Sequence, residues 1–289
     1  MVNFGIEVEL IIVDWGEKPV NHIPELWDAN EAVLAIAAQT RSELAKAIEV
    51  WKISKELDAS QIEIRTSGWQ SLEQSIKEIY NLYFLIEKVV QHLGYKILMG
   101  GVPSEDFLPR ASNMDRYKEI HRLLLEYWGF EAQKATNIAG IHFHIELGRE
   151  LGKEEIKKVM LISNWVREAI EKEELNRIWM SEKRYILMQL VVDTLVKAKV
   201  LDGENPVASS IRPFAFKNPQ EVIDYFGISD GWIVLNYSLV GIKQKDGIYT
   251  LEIRSPDTIW PAAAIPNYLT RIWSKLLDIF EADNEMAWK

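Results

Sequence analysis

The chain is predicted to fold as an α+β domain, with a curved, largely antiparallel sheet carrying helices on one face and a charged cleft on the other. Three observations point there. Four short stretches alternate polar and apolar residues with the period of a strand: Gly5-Ile6-Glu7-Val8-Glu9, Gln61-Ile62-Glu63-Ile64-Arg65, Gly140-Ile141-His142-Phe143-His144 and Leu251-Glu252-Ile253-Arg254. Nearly every polar head on those faces is a carboxylate, an imidazole or a guanidinium. Strands and long helices are mixed without a strict strand–helix–strand rhythm, which favours an antiparallel over a parallel sheet.

The elements follow in order. The first strand covers residues 2–14. Asn30–Glu56 reads as helix, with Val33, Leu34, Ile36, Ala37, Leu44 and Ile48 on one face. Gln61–Thr66 is the second strand, punctuated by Ser67-Gly68. Leu72–Leu93 is a long amphipathic helix in which Leu72, Ile76, Ile79, Leu82, Ile86, Val89 and Val90 recur at helical spacing. Lys96–Met99 is a short strand broken by Gly100-Gly101-Val102-Pro103. Asp115–Trp128 is helical, Ile138–Leu147 is the His-x-His strand, and Lys153–Glu174 and Ile186–Lys199 are further helices. Trp232–Val240 and Ile248–Ser255 form a hairpin with Asp246-Gly247 as its turn. Residues 260–281 close the chain with a helix, and Asn205–Asn218 is the most loop-like stretch.

With 289 residues, 48% of them hydrophobic, and 11 Trp, the chain can bury a large core; it is read as one domain over residues 1–289. A net charge of -10 and the absence of any basic run argue against nucleic acid as a partner. There is no cysteine, which excludes disulfides, thiolate metal sites and a thiol nucleophile. No apolar stretch approaches the roughly 18–20 residues of a spanning helix, and the N-terminus lacks the pattern of a signal peptide. We expect a cytoplasmic protein without a membrane partner.

The charged residues suit one kind of chemistry. Glu7, Glu9, Glu63 and Glu252 are hard oxygen ligands, and His142 adds a nitrogen. Carboxylates converging on one cleft repel unless cations sit between them. Oxygen-rich sites suit Mg²⁺ or Mn²⁺, which bind through a few carboxylates together with substrate phosphates. Arg65, Arg116, Arg184, Arg212 and Arg254 are candidate phosphate or carboxylate clamps. Carboxylates for cations beside arginines for anions is the arrangement of a phosphoryl-transfer site. Neither a G-x-x-x-x-G-K-[ST] loop nor a G-x-G-x-x-G turn is present, so a nucleotide would be held by metals and arginines.

These residues resemble the glutamine synthetase-like carboxylate–amine ligases, nearest the glutamate–cysteine ligase type 2 branch and the putative amidoligases. Gly5-Ile6-Glu7-Val8-Glu9 followed by Leu10–Asp14 is similar to the family's opening strand. Glu56 and Glu63, separated by six residues, with Thr66 three positions after Glu63, resemble its second strand. Arg116-Tyr117 resembles its Arg-Tyr motif, Gly140–His144 its G-x-H-x-H strand, and Leu251–Asp257 its E-x-R-x-x-D strand. The resemblance implies a glutamine synthetase-like catalytic fold, ATP, and two or three Mg²⁺ or Mn²⁺ ions. By motif position Glu7, His142 and Glu252 would hold one metal, and Glu9, Glu56 and Glu63 another. Arg254 would touch the transferring phosphoryl group, with Glu252 and Arg116 beside it in the catalytic set. Arg65, Arg184 and Arg212 would bind the nucleotide; between residues 150 and 230 no family motif aligns, so the last two rest on residue type. The implied reaction joins a small-molecule carboxylate, glutamate among the candidates, to an amine through an acyl phosphate. Homo-oligomerisation is left open.

Each motif also has a plainer reading. Paired glutamates on an alternating strand are usually a solvated face, paired histidines are usually hydrogen-bonded side chains, and Arg65 and Arg184 can form structural ion pairs. His144 could orient a neighbour rather than bind metal. Glu56 falls where a helix should end, which makes it the weakest of the ligands. Trp232 and Trp260 are the tryptophans nearest a nucleotide. Two other functions compete: a metal-dependent amide hydrolase, since His-x-His with acids can activate water, and a non-catalytic relative that binds nucleotide or amino acid.

Overall fold

The computed structural model describes residues 4–23, 28–50, 52–67, 70–98, 103, 107–171, 182–201, 216–226, 239–245, 247–254, 270 and 274. Its centre is strand β1 (Phe4–Val13), flanked on one side by β3 (Gln61–Arg65) and on the other by β5 (Ile141–Gly148). β2 (Ile53–Lys55) pairs β3, β7 (Ile248–Ile253) pairs β5, and β6 (Val240–Lys245) pairs β7, giving the order β2-β3-β1-β5-β7-β6. β4 (Lys96–Leu98) pairs the far end of β1. Every described pairing is antiparallel. Among the described residues no helix is long and apolar enough to cross a membrane.

The alternation sorts the two faces. Phe4, Ile6, Val8 and Leu10 of β1 share one core with Ile62 and Ile64 of β3, Ile141, Phe143 and Ile145 of β5, and Leu251 and Ile253 of β7. Helices α1 (Ala29–Thr40), α2 (Ser42–Glu49), α3 (Leu72–His92) and α5 (Lys153–Glu171), with α7 (Pro219–Phe226), supply the other half of that core. Helix α3 begins with a capping box: Ser71 and Gln74 satisfy each other's backbone N–H groups. It buries Ile79, Leu82, Tyr83, Ile86, Val89 and Val90, all on one stripe. Burial of these aliphatic side chains, at roughly 25 cal/mol per Å², is what holds the layer to the sheet.

A second, smaller core lies over the opposite face. Helix α4 (Asp115–Trp128), a 3₁₀ helix (Phe130–Thr136) and α6 (Glu182–Lys197) bring together Ile120, Leu124, Ala132, Ala135, Val191, Val192 and Leu195. They roof the charged face that the sequence left open. Arg184 of α6 is only 1% exposed, and its Nη2 donates to the Arg254 carbonyl oxygen at 3.2 Å. It lies so close to Gly140 that a Cβ built there would stand 1.9 Å from Nη2. The glycine before the His-x-His strand therefore makes room for an arginine that ties roof to sheet. In α4, His121 is buried with Nε2 2.8 Å from Thr136 Oγ1.

Several boundaries differ from the expected ones. The helix expected over Asn30–Glu56 is two helices and a strand. Arg41 is extended, with φ -144° and ψ 118°, which breaks the helix. Ile53–Lys55 then leaves helical geometry because pairing with β3 buries Ile53 completely against the main core, and tertiary pairing outweighs local propensity. The first strand of the last hairpin is Val240–Lys245; of the expected Trp232–Val240, residues 232–238 lie outside the described residues, as do Asp246 and Trp260. The 3₁₀ helix and α7, whose N-terminus is capped by Asn218 Oδ1 accepting from the Glu221 N–H at 3.1 Å, were not anticipated. Of the loop-like stretch 205–218 only 216–218 are described, and of the closing helix 260–281 only Thr270 and Ser274.

Two outcomes follow from the roof. Gly140→Ala should displace the Arg184 guanidinium and break its bond to the Arg254 carbonyl, destabilising the protein by about 1–2 kcal/mol in urea denaturation. Burial holds the His121 imidazole down at about 4, below its ordinary 6.5. Between those two pH values the unfolded chain binds a proton at this position that the folded chain does not, so its contribution is complete above pH 6.5 and lost as pH falls toward 4. The stability difference between wild type and His121→Asn should shrink over that window; a difference independent of pH would contradict the burial.

Candidate metal and phosphate cleft

Register brings the polar heads together. Glu9 stands opposite Glu63, Glu7 lies between Arg65 and His142, and His144 lies between Gly5 and Glu252. Gly241 is the partner of Glu252 on the other side. Gly5 and Gly241 carry no side chains, so the row containing His144 and Glu252 is left open at both ends. Facing residues on antiparallel strands sit about 4.5–5.5 Å apart, close enough for their charges to decide each other's state. Glu7, Glu9, Glu63, His142 and Glu252 line a cavity of about 250 Å³, with Arg116 and Tyr117 of α4 and Met188, Val191 and Val192 of α6 as its roof.

The cleft holds two groups of acids in opposite electrostatic states. The first is Glu7 and Glu252. Burial would raise the Glu7 carboxyl, but His144 and His142 outweigh it and hold it well below the ordinary carboxylate range. Burial would likewise raise Glu252, which is 2% exposed, yet Arg254 at 2.7 Å and Lys243 at 3.0 Å, with the two histidines, keep it ionised. His144 Nε2 lies 3.3 Å from Glu7 and 3.7 Å from Glu252; His142 Nδ1 lies 3.5 and 3.9 Å from the same two carboxylates.

The second group is Glu9, Glu56 and Glu63. Burial, followed by the charge of Glu9, pushes the Glu56 carboxyl up to about 7. Burial, with Glu7 and Glu56, pushes Glu63 well above its ordinary value, and its ion pair with Arg65 does not undo this. Tyr117 hydrogen-bonds Glu56, and Glu9 accepts from the Gly140 N–H at 2.7 Å. Glu56 and Glu63 are thus pushed toward the neutral acid, and a cation among them would restore their charge. His142 Nε2, 3.7 Å from Glu9, stands between the two groups.

The loop that carries Glu56 is rigidly built. Asp58 accepts from the Ser60 N–H at 2.9 Å and the Arg110 N–H at 3.0 Å. Asn137 donates to Ser60 Oγ at 2.6 Å, and Gln61 donates to the Ile138 carbonyl at 2.7 Å. These bonds tie the turn after β2 to the chain entering β5, so Glu56 and the His-x-His strand keep one spacing.

The donor set fits a divalent cation. Single ligand atoms of Glu7, His144 and Glu252 all lie within 4.8 Å of one another. His144 Nε2 is buried and makes no hydrogen bond, as expected of a nitrogen built to coordinate. Two carboxylates and an imidazole are ligands that Mn²⁺ and Mg²⁺ accept. His144, first read as a residue that orients its neighbours, is the nitrogen of this tightest group, with His142 beside it.

The arginines divide. Arg254 and Arg116 line the cavity, Arg116 in the first turn of α4 with its guanidinium 6.0 Å from the Tyr117 ring. Arg184 also lines it, but its guanidinium is directed to the Arg254 backbone and Gly140. Arg65 is bound to Glu63 and to Ser54 Oγ. Arg212 lies outside the described residues. Sequence reasoning passed over Lys243 and the apolar roof of α6. Lys243 alternates with Gly241 in Val-Gly-Ile-Lys, a signal hidden because the strand was expected to end at Val240.

Comparison with known proteins adds a family. No curated protein sequence matches the chain at a significant level. Solved structures with some likeness include the glutamate–cysteine ligase of Francisella tularensis in complex with AMP, at 15% identity, TM-score 0.44, covering 89% of this chain and 61% of that one. A bifunctional glutathione synthetase from Pasteurella multocida gives 16% identity, TM-score 0.44 and coverage of 88% and 35%. Plasmodium falciparum glutamine synthetase gives 9% identity, TM-score 0.46 and coverage of 96% and 52%. The chain thus spans between about a third and three fifths of the length of these proteins, at likenesses too low to argue from. The sequence profile of Glutamate-cysteine ligase family 2 matches residues 3–168, from β1 through most of α5. That is more than half of the chain, and the chain belongs to Glutamate-cysteine ligase family 2.

Proposed function

We propose that this cleft joins a small-molecule carboxylate to an amine at the expense of ATP, through an acyl phosphate. The observation that carries the reading is the meeting of Glu7, His144 and Glu252, the two glutamates lining one cavity with Arg254, in a chain of this family. The family's name makes the γ-carboxyl of glutamate the first candidate acid. The amine is left to experiment.

A carboxylate is a poor electrophile. It becomes a good one when its oxygen attacks the γ-phosphorus of ATP, the bridging P–O bond breaks and ADP leaves. The amine nitrogen then attacks the acyl carbon, the C–O bond to phosphate breaks, and the nitrogen loses a proton to solvent. Both steps load negative charge onto phosphoryl oxygens, and neutralising that charge is the main service a site can offer. Glu7, Glu252 and His144, with His142 adjacent, would hold one cation, and Glu9, Glu56 and Glu63 a second. Such ions neutralise phosphate charge and polarise the phosphoryl group. Arg254, kept in place by Glu252 and by the Arg184 bond to its carbonyl, aims a fixed positive charge into the cavity. Arg116 supplies another from the roof. Met188, Val191 and Val192 exclude water, which would otherwise hydrolyse the acyl phosphate.

ADP release measured with Mg²⁺ and a panel of acids and amines tests the proposal. ADP formation should require one acid and one amine together; amide cleavage without ATP would establish hydrolysis instead, and ATP binding without turnover a sensor. Glu7→Gln should lower turnover more than about a hundredfold with its circular dichroism unchanged. Unchanged activity would overturn its assignment as a ligand. Mn²⁺ at a hundredfold excess over its Kd should stabilise the folded chain by about 2.7 kcal/mol in thermal denaturation, and Glu252→Gln should remove that gain.

A further inference from the structure

Among the described residues of the cleft, Lys243 is the one whose position works against the occupant proposed above. It lies on β6, the last described strand of the sheet, opposite Thr250 and diagonal to Glu252 on the same face. Its Nζ is 3.0 Å from both Glu252 oxygens. Those oxygens have different surroundings. Oε2 faces Arg254 at 2.7 Å, whereas Oε1 faces His144 at 3.7 Å and His142 at 3.9 Å. Any ion shared by Glu7, His144 and Glu252 takes its oxygen from the histidine side, which is Oε1. An ammonium has only N–H donors and cannot share that oxygen with a divalent cation a few ångströms away without strong repulsion.

The two partners of Glu252 also differ in freedom. Arg254 is 12% exposed, while Lys243 is 44% exposed on a flexible four-carbon stem. Arg254 can stay on Oε2 when a metal arrives, and Lys243 can leave.

We propose that Lys243 is a built-in counter-ion of the metal site: it neutralises Glu252 while no metal is bound, and a divalent cation must displace it to bind. The inference rests on the metal reading of the cleft given under Proposed function. Its consequence is a coupling of two charges. The cation that takes Glu252 frees an ammonium at the mouth of the cleft, where it is available to an anionic oxygen of the incoming phosphates. The empty site then avoids a bare buried carboxylate, and metal affinity is held below what the ligands alone would give.

The test is Mn²⁺ binding to the nucleotide-free full chain, read from the electron paramagnetic resonance signal of free Mn²⁺. Lys243→Gln, which keeps the length of the side chain without its charge, should bind Mn²⁺ about tenfold more tightly than wild type. Lys243→Arg should bind as wild type does. The gap between wild type and Lys243→Gln should narrow at high salt, since Lys243 is partly in solvent. Equal or weaker binding by Lys243→Gln, or tightening by Lys243→Arg as well, overturns the inference. Wild-type binding with no difference among the variants overturns it alone. No Mn²⁺ binding by wild type or Lys243→Gln overturns it together with the metal assignment on which it stands.

Discussion

Glu9 faces Glu63 across β1 and β3, and Glu7 stands beside them on the same buried face. Like charges directly opposite in a sheet repel, and burial multiplies the effect. Much else in the structure answers that one constraint. Two histidines come in from β5, Arg254 follows β7, Arg65 neutralises Glu63 at the outer edge, and glycines flank the row that must stay open. What remains less compensated is the pair Glu56 and Glu63, which burial and neighbouring acids push toward the neutral form. A fold that keeps such repulsion at its centre must hold it with the apolar face behind. Ile6, Val8, Ile62, Ile64, Ile141, Phe143 and Ile253 are each almost fully buried there.

The two acid groups divide the cleft by protonation rather than by position alone. Glu7 and Glu252 are ionised because imidazole, ammonium and guanidinium groups already surround them. Glu56 and Glu63 are pushed toward the neutral acid by burial and by the neighbouring acids, which the Arg65 ion pair to Glu63 does not offset. One group of acids is thus charged in the structure as it stands, whereas Glu56 and Glu63 lean toward the neutral form.

Much of this was legible in the sequence, for a physical reason. Strand alternation has a period of two, so Glu7 and Glu9, His142 and His144, and Glu252 and Arg254 must each share a face wherever the strand is straight. The separation of an apolar layer from a charged face followed from that alone. The strand at Ile53–Lys55 was not legible, because its support is tertiary, from pairing with β3 and packing in the main core. Lys243 was hidden by a boundary set a few residues too early. The roof was invisible for another reason: α4 and α6 carry ordinary amphipathic patterns, and nothing in an amphipathic pattern says which face of a sheet it will cover. Arg184 illustrates the limit. Its residue type suggested an anion clamp, and its burial against Gly140 comes from a glycine 44 positions earlier in the chain.

Among the described residues, Arg184 ties the roof to the charged face through Gly140 and the Arg254 carbonyl. Met188, Val191 and Val192 reach the cavity from α6 but belong to a hydrophobic cluster of their own, separate from the core beneath the sheet. Side chains on the inner surface of α6 can therefore change size, and with them the shape of the cavity, while the strands beneath stay in register.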